Sequence, residues 1–236
     1  MNNLVNLSIK LLDAVIANDQ QNINQATHSL KNVNLNSLND DSEKISFWIN
    51  IYNASFMLLH RKDIAKPKIY KVEAIYIDKK SLSLDVIEHQ ILRRGKMKYG
   101  VGYINNPVSF IKYGQLMPSR VDYRIHFTLN CGAISCPPIS SYSNEDLNEK
   151  LDNASINFLR AETRVVENLN KIYTTRIFQW YLGDFGGMKG VREILFRFGI
   201  IEKDKLHYKI EFTRYNHEDS PDNIAKDYLK EHELTN

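Results

Sequence analysis

The stretch Arg124-Ile-His-Phe-Thr-Leu-Asn-Cys-Gly-Ala-Ile-Ser-Cys-Pro-Pro-Ile139 restricts the backbone more tightly than any other part of the chain. Ile125, Phe127 and Leu129 alternate with Arg124, His126 and Thr128, a period of two that predicts a β-strand with one apolar face. Asn130, Gly132 and the pair Pro137-Pro138 then stop the strand and stiffen the loop after it. Both cysteines of the chain fall inside that loop. A rigid loop at a strand end is a common place for chemistry, because the scaffold aims the side chain.

Around this stretch the chain alternates helical and extended patterns. Leu4, Leu7, Leu11, Leu12 and Val15 have helical spacing, and a second helix is expected over 19–32. A third, capped by Asp41 or Ser42, carries Phe47-Trp-Ile-Asn-Ile-Tyr-Asn-Ala-Ser-Phe-Met-Leu-Leu59. Asn50 and Asn53 stand out in that apolar run, since a buried amide must be hydrogen-bonded. They are expected to anchor neighbouring backbone; the sharper reading has them hold the cysteine loop or line a cleft. Val72 to Leu84 predicts a hairpin, followed by a short helix with Glu88-His89 in its middle and Arg93-Arg94 at its end. Residues 95–123 are expected to form a long loop, a functional cover or flap. Further on come a helix through Leu147, Leu151 and Leu159, a second hairpin about Asn168-Leu-Asn170, and the aromatic segment Arg176–Phe185. A helix over 188–198, a strand over 206–212 and a charged helix from Asp222 to Glu233 close the chain. The pattern predicts an α+β fold. It has N-terminal helices and short strands and hairpins in a small, mostly antiparallel sheet, with the cysteine loop at a strand end. A single domain over 1–236 is expected: a helical extension over 1–40, a core over 43–215 and a C-terminal helix over 216–236.

The balance of 31 Lys and Arg against 28 Asp and Glu gives a net charge of +3, too small to argue for nucleic acid or a membrane surface as partner. The opening residues lack a basic stretch followed by an unbroken apolar core, so no signal peptide is expected, and no run reaches the ~18 apolar residues of a membrane helix. The expected compartment is therefore cytoplasmic, where the cysteines should be thiols.

Three chemistries compete at the loop. Cys131 as a nucleophile would need a histidine, His89 or His126, with Glu88, Asp122 or an Asn orienting it. The amides of Gly132, Ala133 and Ser135 would be oxyanion donors. A redox pair requires the two Cα atoms within ~7 Å. Cys-x4-Cys with one nearby His approaches zinc spacing, but lacks a second short-range pair. The plain alternative is that free cysteines and core histidines are simply packed. No phosphate loop, dinucleotide fingerprint or serine elbow occurs, and neither a metal nor a cofactor is expected.

Three segments together carry a family likeness: Phe47–Asn53, Ser83-Leu-Asp-Val-Ile-Glu-His89 and Arg124–Pro138. They resemble the domain-of-unknown-function family numbered 547, and Ile177–Phe185 is similar to that family's aromatic helix. The resemblance runs from 43 to about 215. It departs at Tyr215-Asn-His-Glu-Asp-Ser220, where the family usually has a Tyr-Asp-Trp-Ser type segment. The positions matching family motifs are Asn50, Asn53, Glu88, His89, His126, Asn130, Cys131, Ser135 and Cys136. The resemblance implies an α+β fold distantly similar to papain-like and transglutaminase-like cysteine enzymes, binding small thiols or peptides. The resulting expectation is a cysteine-dependent hydrolase or acyltransferase acting on a peptide, amide or small-thiol substrate. In it, Cys131 is nucleophile, His89 or His126 base, and Glu88 or Asn53 orienter, with Asn50, Asn130, Gly132, Ser135 and Cys136 shaping the pocket. The alternative is a non-catalytic module that binds a small molecule or peptide in the same pocket.

Overall fold

In a computed structural model that describes residues 2–98 and 100–231, side-chain caps start the first helices. Asn2 accepts from the Leu4 amide to open α1 (Asn3–Ile16), and Asp19 accepts from Asn22 to open α2 (Gln20–Leu30). Asp40, one residue before the expected cap, accepts from Glu43 to open α3 (Asp41–His60). Every residue from Ile45 to Met57 is buried. A helix without a solvent face must be surrounded, and α3 is: α1 packs along it, and the chain returns to it several times.

After the short α4 (Lys68–Lys71), β1 (Ile75–Ile77) and β2 (Lys80–Leu82) pair antiparallel across Asp78-Lys79. Both turn residues have positive φ, 47° and 60°, as a two-residue hairpin loop demands. The Glu88-His89 segment is helical, but Val86–Leu92 forms a π-helix rather than an α-helix. The expected loop over 95–123 contains α5 (Pro107–Tyr113), opened by the Asn106 side chain with Pro107 in its first turn. The glycines and prolines that suggest continuous loop lie on either side of it or at its start.

The predicted strand at the cysteine loop is not a strand. Tyr123–Phe127 is a 3-10 helix, capped by the Asp122 side chain on the Arg124 amide. Alternation misleads here because the segment lies at a seam between two cores: Ile125 packs into one and Phe127 into the other. With apolar demand on two sides, and polar His126 and Thr128 also buried, period two no longer reports an extended chain. The cysteine loop therefore follows a 3-10 turn, not a strand end.

The second half comprises α6 (Leu147–Glu162), β3 (Arg164–Val166), β4 (Lys171–Thr174), α7 (Ile177–Trp180), α8 (Gly187–Arg197) and β5 (Lys209–Phe212). Strand order is β3-β4-β5, with β3 antiparallel and β5 parallel to β4. The class is α+β, with mostly antiparallel pairing. At the end, α9 spans Lys226–Glu231: residues 216–225, expected as part of the terminal helix, are extended or turn, since Ile224 bridges to Ile139 and Ala225 N donates to Ile139 O, and the expected continuation to Glu233 lies outside the described residues. One core gathers α1, α3, the first hairpin and the π-helix; the other gathers Phe127, Phe158, Phe178, Phe185 and α8.

Candidate functional site

Helical spacing on α3 builds the base of the cysteine loop. Asn50, Asn53 and Phe56, three residues apart each time, form one stripe. Asn50 accepts from the Tyr142 amide at 2.9 Å and donates to the Tyr142 carbonyl at 2.8 Å. Asn53 accepts from the Asn130 amide at 3.0 Å and donates to the Thr128 carbonyl at 2.9 Å. Both amides thus serve as backbone anchors, and Asn53 holds the entry to the cysteine loop. Asn130 continues the clamp: it accepts from Gly132 N at 2.6 Å and donates to Pro137 O at 2.8 Å. Gly132 has φ of +72°, and a Cβ there would collide with the Phe56 ring. Glycine is required twice over, for conformation and for space.

Within this frame Cys131 and Cys136 form a disulfide, with Cα atoms 6.1 Å apart. That corrects the expectation of two thiols and meets the distance condition for a redox pair. Cys131 is half-buried and Cys136 is 3% exposed. The Tyr215 hydroxyl lies 3.2 Å from Cys131 Sγ and 2.9 Å from Cys136 Sγ, while the Cys131 amide donates to Cys136 Sγ at 3.0 Å. Trp180 and His217 pack against the Tyr215 ring, each at 4.8 Å. The C-terminal segment seals the loop: Ile134 N donates to Glu218 O, Ser220 N to Gly132 O, and Ser135 Oγ accepts from Asn216 N. Two expected oxyanion donors are consequently engaged, Gly132 N by Asn130 and Ser135 N by Asn216 O at 3.4 Å.

The histidines belong to a separate buried cluster. In the π-helix the i→i+5 ladder widens the turn, so residues four and five apart share a face. Asp85, Glu88, His89 and Arg93 are brought together in this way. Arg93 Nε donates to Asp184 Oδ2 at 2.6 Å, and its Nη1 donates to His89 Nδ1 at 2.9 Å. His126 Nε2 meets the same Asp184 oxygen at 2.9 Å, and its ring stacks on Tyr181 at 4.0 Å. Tyr181 donates to Glu88 Oε1 at 2.7 Å and Tyr52 to Glu88 Oε2 at 3.4 Å. The Arg93 guanidinium lies over the Tyr181 ring at 4.5 Å.

These contacts set the charge states. Burial pushes the Glu88 carboxyl up, but His89, Arg93 and the Tyr181 hydroxyl outweigh it, and its pKa falls below the usual value. Asp184 behaves alike: burial raises it, and His126 and Arg93 bring it below the ordinary aspartate range. Burial lowers His89 and His126, and their carboxylate neighbours do not reverse this. Near neutral pH Glu88 and Asp184 are carboxylates, Arg93 is a guanidinium, and His89 and His126 are neutral imidazoles.

The expected residues therefore divide. Glu88 and His89 lie together, Oε1 to Nδ1 3.5 Å. His126 joins them through Asp184, not through Asp122, which instead binds Arg124. Neither histidine has a cysteine sulfur as hydrogen-bond partner; the sulfurs face Tyr215. The Cys–His pairing is thus absent from this arrangement. The link between the two groups is aromatic: Tyr70 donates to Cys131 O at 3.2 Å, and burial, with the Glu88 charge as a lesser cause, holds the Tyr70 and Tyr215 hydroxyls protonated.

Sequence reasoning missed Tyr215, Arg93, Tyr181 and Asp184 as participants. Tyr181 and Asp184 sit inside the aromatic motif, and Arg93 lies four residues after His89, a spacing that invites the pairing. Among the described residues no group of three or more His, Cys, Asp or Glu side chains could hold a metal ion. Cavities of about 520 Å³ beside residues 110–116 and about 380 Å³ beside Lys31 and Tyr76 both lie away from the cysteine loop.

Neither the curated proteins nor the solved structures include a match to the chain, and no comparison bears on a papain-like or transglutaminase-like similarity. The motif residues Asn50 to Cys136 fall inside the stretch that a family model matches; Ile177–Phe185 and Tyr215 fall beyond it. That model, described as "Protein of unknown function, DUF547", covers residues 35–159, and the chain belongs to this family.

Proposed function

We propose that the cysteine loop is a thiol-dependent reaction centre whose main chemistry is thiol–disulfide exchange with a small thiol or a peptide thiol. The observation that carries this reading is the asymmetry of the two sulfurs. Cys131 is the more exposed, and Cys136 Sγ is the one that both the Cys131 amide and the closer Tyr215 hydroxyl contact. An external thiolate attacks Cys131 Sγ along the S–S axis. The S–S bond breaks, its electron pair goes to Cys136, and the two donors stabilise the departing thiolate. A second external thiolate then attacks the external sulfur of the mixed disulfide. This releases an external disulfide and leaves Cys131 as thiolate, so the thiols are oxidised by two electrons and the protein reduced by two. Burial raises the Tyr215 hydroxyl pKa, so at neutral pH it acts as a donor and not as a base.

The hydrolase or acyltransferase reading uses the same Cys131 after reduction, and the exposure of Cys131 favours it over Cys136 as nucleophile. It ranks second because His89 and His126 would have to leave Arg93 and Asp184 to serve as base. A binding module for a small molecule or peptide is the non-catalytic form of the same pocket. No described helix is long and apolar enough to cross a membrane. We place the protein in the cytoplasm, where a bond of this kind is transient and redox-active. We propose no nucleic-acid partner.

The test is mass-spectrometric counting of alkylated cysteines while the protein equilibrates with a graded small-thiol redox buffer. Reversible, two-electron conversion is expected, slowed about fivefold in Tyr215→Phe by loss of one hydrogen bond to the leaving sulfur. A pair that stays oxidised in the most reducing buffer, or never re-forms, sinks the exchange reading. Turnover of ester or amide substrates by the reduced protein, abolished in Cys131→Ser, would promote the second reading in its place.

A further inference from the structure

Between Glu88 and Asp122 the chain carries Arg93, Arg94, Lys96, Lys98, Lys112 and Arg120 and not one Asp or Glu. Whole-chain charge, the ground for expecting no membrane partner, averages this asymmetry away. Arg93 is neutralised by Asp184 and Lys98 by Asp85. Arg94, Lys96, Lys112 and Arg120 form no salt bridge among the described residues, although the Glu73 charge acts on Lys112; Arg94 and Lys96 donate to the backbone carbonyls of Pro118 and Gly102, and Arg94 lies over the Phe110 ring.

The same segment concentrates exposed apolar surface. Of twelve large hydrophobic side chains exposed among the described residues, seven lie here: Met97, Val101, Tyr103, Ile104, Val108, Phe110 and Ile111. They are close neighbours along the chain. Met97 N donates to Ile104 O and Asn106 N to Gly95 O, folding 95–106 back on itself, and α5 leaves directly from its base. Val108 and Ile111 share a face of α5 three residues apart, opposite buried Ser109 and Tyr113, and Ile111 is 89% exposed.

We infer that residues 96–98 and 100–112 form a docking surface for an anionic lipid bilayer. Exposed apolar side chains on a segment whose only charged residues are cations suit insertion among acyl chains beneath negatively charged headgroups. A second copy of this chain would bring two like-charged surfaces face to face. Nucleic acid would need stacking aromatics, and this surface is mainly aliphatic. A peptide helix would need a groove lined by apolar side chains for its anchors, whereas the cavity beside Ile111 is lined also by Asn36, Lys80, Lys112 and Gln115. The inference is independent of the thiol chemistry.

The experiment is flotation of the whole protein with vesicles of phosphatidylcholine alone or mixed with phosphatidylserine, at low and high salt. Binding only to the mixed vesicles is expected, weakening with salt. The Val108→Asp/Ile111→Asp pair should abolish it, and Lys112→Gln/Arg120→Gln should weaken it roughly tenfold or more. Circular dichroism and cysteine alkylation should be unchanged in both variants. Equal binding to both vesicle types, or binding to neither, overturns the inference. So does a concentration-dependent dimer, or binding to an acidic peptide or an oligonucleotide, that the aspartate variant abolishes while vesicle binding persists.

Discussion

The cysteine loop and the Arg93 cluster are both buried polar constructions that share a seam, yet they are held by different forces. Asn53 and Asn130 fix the loop through neutral hydrogen bonds to backbone. Arg93, Asp184 and Glu88 act on one another through charge, and the two neutral histidines are hydrogen-bonded to Arg93 and Asp184. Neutral clamps keep their strength across pH and make each partner replaceable only by a group of the same shape. A buried ionic cluster is strong only while complete, because removing one charge strands another.

The sharpest way to break the comparison is Arg93→Ala. It leaves Asp184 buried without its cation, and denaturant unfolding should show a loss of about 3–5 kcal/mol. An effect below that of the loop variants would mean the cluster is hydrated and the contrast is wrong. Next comes Asn53→Ala, which strands the Asn130 amide and the Thr128 carbonyl and should cost about 2–4 kcal/mol. It should also expose the cysteines to faster reduction, measurable by timed alkylation. Gly132→Ala ranks third, with about 1–3 kcal/mol expected from the positive φ and the Phe56 ring. If Phe56→Ala does not recover part of that loss in the double variant, the collision is not its cause.

The smallest effect distinguishes the two regions most cleanly. His89 and His126 have folded-state pKa values below the ~6.5 of the unfolded chain. The unfolded chain therefore binds more protons on acidification, and stability present above pH ~6.5 is lost as pH falls towards the folded values. Glu88 and Asp184, also lowered, add a further loss below the ordinary carboxylate range. Unfolding free energy measured from pH 7 to 5 should fall, and the slope should flatten in the His89→Gln/His126→Gln variant. Asn53→Ala should shift that curve down with its slope unchanged; a changed slope would show that the two regions titrate as one.

How much of this can be read from the chain depends on the range of the interactions. Asn50 and Asn53 are legible because an amide in an apolar run needs a partner wherever it lies, though which backbone it meets depends on the fold. Glu88-His89 are legible as neighbours. The 3-10 turn at Tyr123–Phe127 is not, since alternation cannot distinguish one sheet face from two separate cores. Asp184 is 58 residues from His126 and Tyr215 is 84 from Cys131, and no local pattern reports such pairings. The cysteine spacing admits a redox pair, but the compartment argument favours thiols and so points away from the disulfide.

The π-helix has a consequence at the level of insertions and deletions. It is a helix with one residue more than an α-turn would hold, and that surplus lets Glu88 and His89 both face Arg93. Removing one codon, such as that for Gln90, would restore an ordinary helical turn without touching any charged residue. Every side chain of the cluster would still be encoded, but His89 and Arg93 would fall three apart and Glu88 would turn with the shortened segment. A substitution at Gln90 would test only its side chain's bond from the Ser109 hydroxyl, whereas a single-residue deletion would test the register of the turn.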